Sequence, residues 1–281
     1  MKPYRMAAMF WPEVDAARAS VDGVLIPVGS FEQHGPMTPF EVDTVIAEHI
    51  CCRAAERVQD LDAYYLVGPT INLGASWYHM DFPGTVSLDG DLFVQVVRAV
   101  HRSLHTHGFG NIIFLNGHGG NIAPLNHAIN LIRAETDAPV YHVTYADLVP
   151  DLTAQTGDCL IHAGEVETSI CLAVGIRVDM ARAVSEANGR RAALERTGVR
   201  TSRHIRYDAL DRGPGGQLPA HRIAEISASG VVGDATRANA SLGEAVIEAT
   251  IARLAELCAD IASPRLVRSS AQSKSDLAFL E

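Results

Sequence analysis

The chain is short of positive charge. It has 23 Lys and Arg against 33 Asp and Glu, a formal net charge of −10. No Lys/Arg cluster offsets this balance, which argues against a nucleic-acid surface. Cysteine is scarce and oddly numbered: Cys51, Cys52, Cys159, Cys171 and Cys258, with no C-x-x-C pair. That excludes a disulfide framework and reads as buried free thiols in a reducing compartment. No apolar run is long enough to span a bilayer, and Met1–Met6 carries no signal-type apolar stretch. The expectation is a cytoplasmic protein without a membrane or nucleic-acid partner. No internal repeat and no shift in composition mark a second domain. Residues 1–265 are therefore expected to form one domain, and 266–281 a polar tail.

What is present is an ample core: 47% of the 281 residues are hydrophobic. Strand-like and helix-like patterns alternate. Strands are predicted over 23–29, 64–68, 111–115 and 140–144. Helices are predicted over 43–58, 89–106, 121–135, 164–174 and about 238–262, and 186–230 reads as mixed. Within 89–106, Phe93, Val96, Val97, Val100 and Leu104 share one face. This order predicts an α/β fold, a mainly parallel sheet between helical layers.

Metal-type ligands follow three of these segments. Glu32-Gln33-His34 comes after the first strand, and Asp43 follows. Asn116-Gly117-His118-Gly119-Gly120-Asn121 comes after the third strand, and His162-Ala163-Gly164-Glu165-Val166-Glu167-Thr168 opens a helix. Ligands in open parallel sheets bind outside the carboxyl ends of the strands. One edge would thus gather Glu32, His34, Asp43, His118 and Glu165. Two imidazoles and three carboxylates suit one or two divalent ions of the zinc or manganese type.

Each segment also has a plainer explanation. Asp43 at a helix start is a good cap. Glu32 and His34 could be a surface ion pair. The glycine-rich tract could be a phosphate-cradling turn or a tight strand–helix turn around a buried His118. Glu165 and Glu167 are first-turn carboxylates, favoured by the helix dipole. No one of these accounts explains all three segments. His79 lies in a loop, Trp77-Tyr78-His79-Met80-Asp81-Phe82-Pro83-Gly84-Thr85, on the same edge, where Trp77 and Tyr78 could line a substrate pocket or simply pack. His101 and His105 resemble a metal pair but lack a carboxylate, and read as a solvated helix face. His49, His107, His127, His142, His204 and His221 carry no pattern.

Taken in order, Gly29-Ser30-Phe31-Glu32-Gln33-His34-Gly35-Pro36, Asp43-Thr44, Phe82-Pro83-Gly84-Thr85, the Asn116–Asn121 tract, His162–Ser169 and Gly230-Val231-Val232-Gly233-Asp234 resemble the creatininase (creatinine amidohydrolase) family over residues 5–262. The resemblance implies a three-layer α/β/α fold, commonly hexameric, with two divalent ions such as Zn, Mn or Fe. By motif match Glu32 and His118 would serve one ion, His34 and Glu165 the other, and Asp43 would bridge them. Creatininase itself has Glu where Gly120 and Ile161 stand and lacks a carboxylate at the position of Glu165. The usual family His after His-Gly-Pro is Met37 here. Family activities include creatinine ring opening, deformylation of a pyrimidine intermediate and peptide trimming.

The expected activity is hydrolysis of a C–N bond in a small cyclic amide or formamide, by water activated between the two ions. His162 is the candidate proton shuttle, with His79 in reserve. The alternatives are hydrolysis of a C–C or C–O bond in a cyclic ketone, a peptidase, and a non-catalytic metal-bound assembly subunit.

Overall fold

In a computed structural model of the chain, residues 1–153, 162–186, 205–206, 216–217 and 222–262 are described. The expected tail at 266–281, and Cys159, His204 and His221, lie outside them.

The centre is a four-stranded parallel sheet in the order β2-β1-β3-β4. Its strands are β1 (Gly23–Val28), β2 (Tyr65–Val67), β3 (Ile112–Asn116) and β4 (Val140–Thr144). β1 and β3 are buried throughout, as both-face coverage requires. Two residues in succession along a strand point to opposite faces, and the core divides accordingly. Val24, Ile26, Val28, Leu66, Ile112 and Phe114 pack on one side against α3 (Gly90–Thr106) and α4 (Ile122–Glu135). Leu25, Tyr65, Val67, Ile113 and Leu115 pack on the other, against α2 (Val42–Arg57), α6 (Glu165–Val174) and α8 (Ala240–Ala262). The result is the expected three-layer α/β/α arrangement. A short parallel pair, β5 (Ile205–Arg206) and β6 (Gly216–Gln217), stands apart.

Three short α-helices are also found among the described residues. α1 (Trp11–Arg18) buries none of its residues, and α5 (Pro150–Thr153) and α7 (Ile223–Ile226) are single turns. No helix among the described residues is long and apolar enough to cross a membrane. Cys51, Cys171 and Cys258 are buried free thiols, and Cys52 is half-buried.

Two details fix the edge where the candidate ligands sit. Val28 pairs with Asn116 in register, so β1 and β3 end side by side. The chain after β1 then turns directly into α2: Thr44 Oγ1 donates to the Ser30 carbonyl at 3.0 Å, and a Cβ on Gly29 would collide with Thr44. Asp43 is thereby held in the first turn of α2, beside the end of β1.

Candidate metal centre

The residues that follow β1, β3 and the start of α6 converge on one buried spot. Glu32 is fully buried, and His34, Asp43, His118, His79 and His162 are each at most 8% exposed. His118 Nδ1 lies 3.1 Å from Asp43 Oδ2 and 3.3 Å from Glu32 Oε1. His34 Nε2 lies 3.2 Å from Asp43 Oδ1 and 3.7 Å from Glu167 Oε2. The two oxygens of Asp43 thus face two different imidazoles, and Ser30 Oγ donates to Oδ2 at 2.6 Å.

Glu165 does not join this group. The resemblance assigned it to the second ion, but its Oε2 lies 3.4 Å from Arg237 Nε. Residues two apart on an α-helix diverge by roughly 200°, so only one of Glu165 and Glu167 can face the cluster, and it is Glu167. The same Glu167 carboxylate accepts from the backbone N–H of Ala163 at 2.6 Å, which locks the start of α6 beside His34. The helix-start role of Glu167 and its place in the cluster are therefore not exclusive.

The ring nitrogens can be assigned from their partners. A main-chain carbonyl only accepts, so the nitrogen facing it carries hydrogen. His34 Nδ1 faces the Glu32 carbonyl at 3.1 Å, His118 Nε2 the Ala75 carbonyl at 3.3 Å, and His162 Nε2 the Gln33 carbonyl at 2.8 Å. Each ring thereby turns its other nitrogen inward. Metal-ligating histidines are oriented in this way, by donation of the second N–H. His79 is the exception. Its Nδ1 lies 2.9 Å from the Gln33 amide nitrogen, a donor, so its inward Nε2, 3.2 Å from Glu32 Oε1, is the one that bears hydrogen.

The electrostatics are those of a cation pocket. Burial pushes the Glu32 carboxyl up, but His118 and His79 beside it reverse this and leave it at about 2. Burial pushes His118 down, and Glu32 and Asp43 overcome it, raising the ring to about 10. Burial likewise opposes, and Asp43 and Glu167 outweigh it, at His34, which is raised well above the usual range. His79 is lowered by burial to about 2, and His162 is lowered by burial and by His34. Three carboxylates therefore hold positive charge on two rings, while the other two rings stay neutral.

These residues fit a divalent metal. Ligand atoms of Glu32, Asp43 and His118 lie within 4.8 Å of one another, as do those of His34, His162 and Glu167; Glu32, His79 and His162 form a third such group, but the His79 nitrogen facing Glu32 carries hydrogen. Both carboxylate oxygens of Glu32 are buried; Oε1 faces His79 and His118, and Oε2 has no hydrogen-bond partner. A buried carboxylate left so is costly unless it is paired or coordinates a metal. Imidazole and carboxylate together suit zinc and manganese.

The surrounding loops complete the pocket. Tyr78 OH and Ser76 Oγ each lie 3.3 Å from His118 Nε2. Trp77 stands edge-on to Tyr78 and is 53% exposed. In the glycine-rich tract, a Cβ on Gly120 would overlap Ala75 O, Tyr78 OH and His118 Nε2, so only glycine fits. Asn121 pins this turn, donating to Gly29 O at 2.9 Å and accepting from Ala75 N–H at 2.9 Å. Met37 is buried with Ala163, Val231 and Ala235 in a small apolar cluster. His101, expected on a solvated face, is buried against the α3–α4 layer and stacks on exposed His105. Among the described residues no third ligand joins that pair.

The comparisons agree with this geometry. The family model for creatininase, creatinine amidohydrolase, matches residues 7–258. The mycofactocin precursor peptide peptidase of Mycobacterium tuberculosis (strain CDC 1551 / Oshkosh) is 31% identical over 236 residues, 81% of each chain. A crystal structure of creatinine amidohydrolase superposes with a TM-score of 0.75 at 27% identity, covering 94% of this chain and all of that one. A creatininase structure with Mn superposes with a TM-score of 0.72 at 26% identity, covering 94% of this chain and all of that one. Fold and sequence thus point the same way, and the chain belongs to the creatininase family.

Proposed function

We propose that the protein is a two-metal amidohydrolase that cleaves a C–N bond of a small cyclic amide or formamide. The observation that carries the reading is the fully buried Glu32 carboxylate, set with Asp43 among inward-turned imidazoles and with Oε2 lacking any hydrogen-bond partner. Glu32, Asp43 and His118 would hold one ion. His34, Glu167 and the second oxygen of Asp43 would hold the other. Such ions supply an acidified water and polarise a carbonyl oxygen.

The chain's own groups supply the rest. His162 is neutral, and its Nε2–H is tied to the Gln33 carbonyl, so Nδ1 is the atom free to move a proton. It would take one from the attacking water and deliver it to the departing nitrogen, which leaves poorly as an anion. Burial and the Glu32 carboxylate hold the Tyr78 hydroxyl well above its usual pKa, so it remains a neutral donor beside the centre. Trp77 offers an apolar wall for a planar substrate.

A second reading, peptide-bond hydrolysis, is favoured by the likeness to the mycofactocin precursor peptide peptidase along 81% of both chains. A substrate panel separates the two. Purified protein loaded with Zn, Mn or Fe is offered lactams, formamides and short peptides, with and without chelator. Chelator-sensitive turnover of lactam or formamide is expected. Turnover of peptides alone would replace the first reading by the second, and none with any C–N substrate would remove both. Assembly as a homohexamer and a cytoplasmic location belong to the same proposal, checked by light scattering and cell fractionation.

A further inference from the structure

Gln33 stands between two candidate ligands and is 6% exposed. Every polar atom it has is engaged. Its backbone N–H donates to Thr85 Oγ1 at 3.2 Å, and its carbonyl accepts from His162 Nε2 at 2.8 Å. Its side-chain Oε1 accepts from the Gly35 N–H at 2.8 Å, which fixes which end of the amide is oxygen. The amide nitrogen then has two hydrogens. It lies 2.9 Å from His79 Nδ1, 3.2 Å from Gly230 O and 3.0 Å from His162 Nε2. His162 Nε2 already carries the hydrogen it gives to the Gln33 carbonyl, so it cannot accept. The two amide hydrogens therefore go to His79 and Gly230.

We propose that Gln33 is a positioning residue that sets two imidazoles in opposite senses, His79 with Nε2–H toward Glu32 and His162 with Nε2–H toward the Gln33 carbonyl and Nδ1 toward the pocket. The assignment rests on the metal-hydrolase reading for its catalytic consequence, but not for the proton positions. His79, with hydrogen on its inward nitrogen, is thereby kept out of the ligand set and holds Glu32 in place. His162, with its Nε2–H committed to the carbonyl, can exchange protons with the pocket only through Nδ1.

The same arrangement explains two motifs that contribute no metal ligand. Phe82-Pro83-Gly84-Thr85 delivers the Thr85 hydroxyl to the Gln33 backbone. Gly230-Val231-Val232-Gly233-Asp234 delivers the Gly230 carbonyl to the Gln33 amide. Gly230 has φ +87°, and a Cβ there would overlap Gln33 Oε1, so the amide has its seat only against glycine. Main-chain pairing of His162 with Val232 ties that loop to the His162 segment.

Neutron diffraction of zinc-loaded wild type and Gln33→Glu tests the assignment. Hydrogen is expected on Nε2 of both His79 and His162 in the wild type. In Gln33→Glu the hydrogen of His79 should move to Nδ1, to face the new carboxylate. Hydrogen on His79 Nδ1 in the wild type, or an unchanged pattern in the variant, overturns the proposal. Gln33→Met, close in size and unable to donate, gives the second measure and decides alone if Gln33→Glu does not fold. It should keep wild-type metal content and KM while kcat drops about 10–100-fold. Metal loss in step with lost thermal stability, and full turnover per bound metal, would mark a merely structural residue. A wild type with the expected hydrogens but no turnover on any amide would sink the hydrolase reading and leave Gln33's role standing.

Discussion

Glu165 and Glu167 leave the same first turn of α6 in opposite directions, one reaching Arg237 Nε at 3.4 Å and the other His34 Nε2 at 3.7 Å. The pair separates a candidate ligand from a neighbour of identical chemistry. Glu167→Gln should lose the ion held with His34, whereas Glu165→Gln should keep full metal content. Elemental analysis of the purified variants reads this directly. The reverse result would return Glu165 to the ligand set.

His162→Ala should retain its metals, because Glu32, Asp43, His118, His34 and Glu167 remain. Turnover should fall by about 10²–10⁴-fold, the usual worth of a general acid–base group. The loss should shrink on substrates with good leaving groups. A variant that loses an ion instead would make His162 a ligand through Nδ1.

Much of the fold can be read from the sequence, because its core elements carry strong periodic signals. β4 falls at the expected residues 140–144, and α3, α4 and α6 lie within one residue of expectation. α1 escapes such reading for a physical reason: it buries nothing, so no apolar stripe marks it. Of the candidate site residues, those on strand-end loops converge as expected, since β1 and β3 end in register. The choice between Glu165 and Glu167 depends on the rotational phase of α6, which a three-residue spacing from His162 does not determine. Gln33 gives no chemical signal in the sequence, and its role emerges only once Thr85 and Gly230 are brought to it.

Metal-free protein should show a stability maximum near pH 6.5. His118 is raised from 6.5 to about 10, so its contribution is complete below 6.5 and is lost as pH climbs toward 10, with His34 acting in the same direction. His79 is lowered from 6.5 to about 2, so protons favour the unfolded chain below 6.5. Glu32, lowered from 4.5 to about 2, adds to the acid loss below 4.5. Melting temperatures in chelator across this range check the shape. Adding zinc should flatten the alkaline limb, because an ion replaces the protons on His34 and His118. A metal-free melting temperature still rising at about pH 9 would contradict these shifts.

Gly120→Ala should displace His118, since the new methyl meets Ala75 O, Tyr78 OH and the ring itself. A cost of about 1–3 kcal/mol in stability is expected from overpacking, together with weakened metal binding. Chemical denaturation of the metal-free variant, paired with a zinc titration, separates the two effects. Wild-type behaviour in both would show that the turn relaxes freely.

The packing of α6 on α8 sets a timetable for synthesis. Glu167 is placed by a helix whose inner face, Val166, Ile170 and Cys171, packs in the same core cluster as Val246, Ile247, Ile251 and Leu254. Gly243 allows the two helices to touch, and a Cβ there would overlap the Ser169 carbonyl. A nascent chain that has exposed Glu32, Asp43 and His118 but not α8 carries half a set of ligands with nothing to brace the other half. The Glu167 half of the centre is braced only once α8 has packed on α6. Filling of the second site, the one that needs Glu167, is thus expected to follow the docking of α8 on α6.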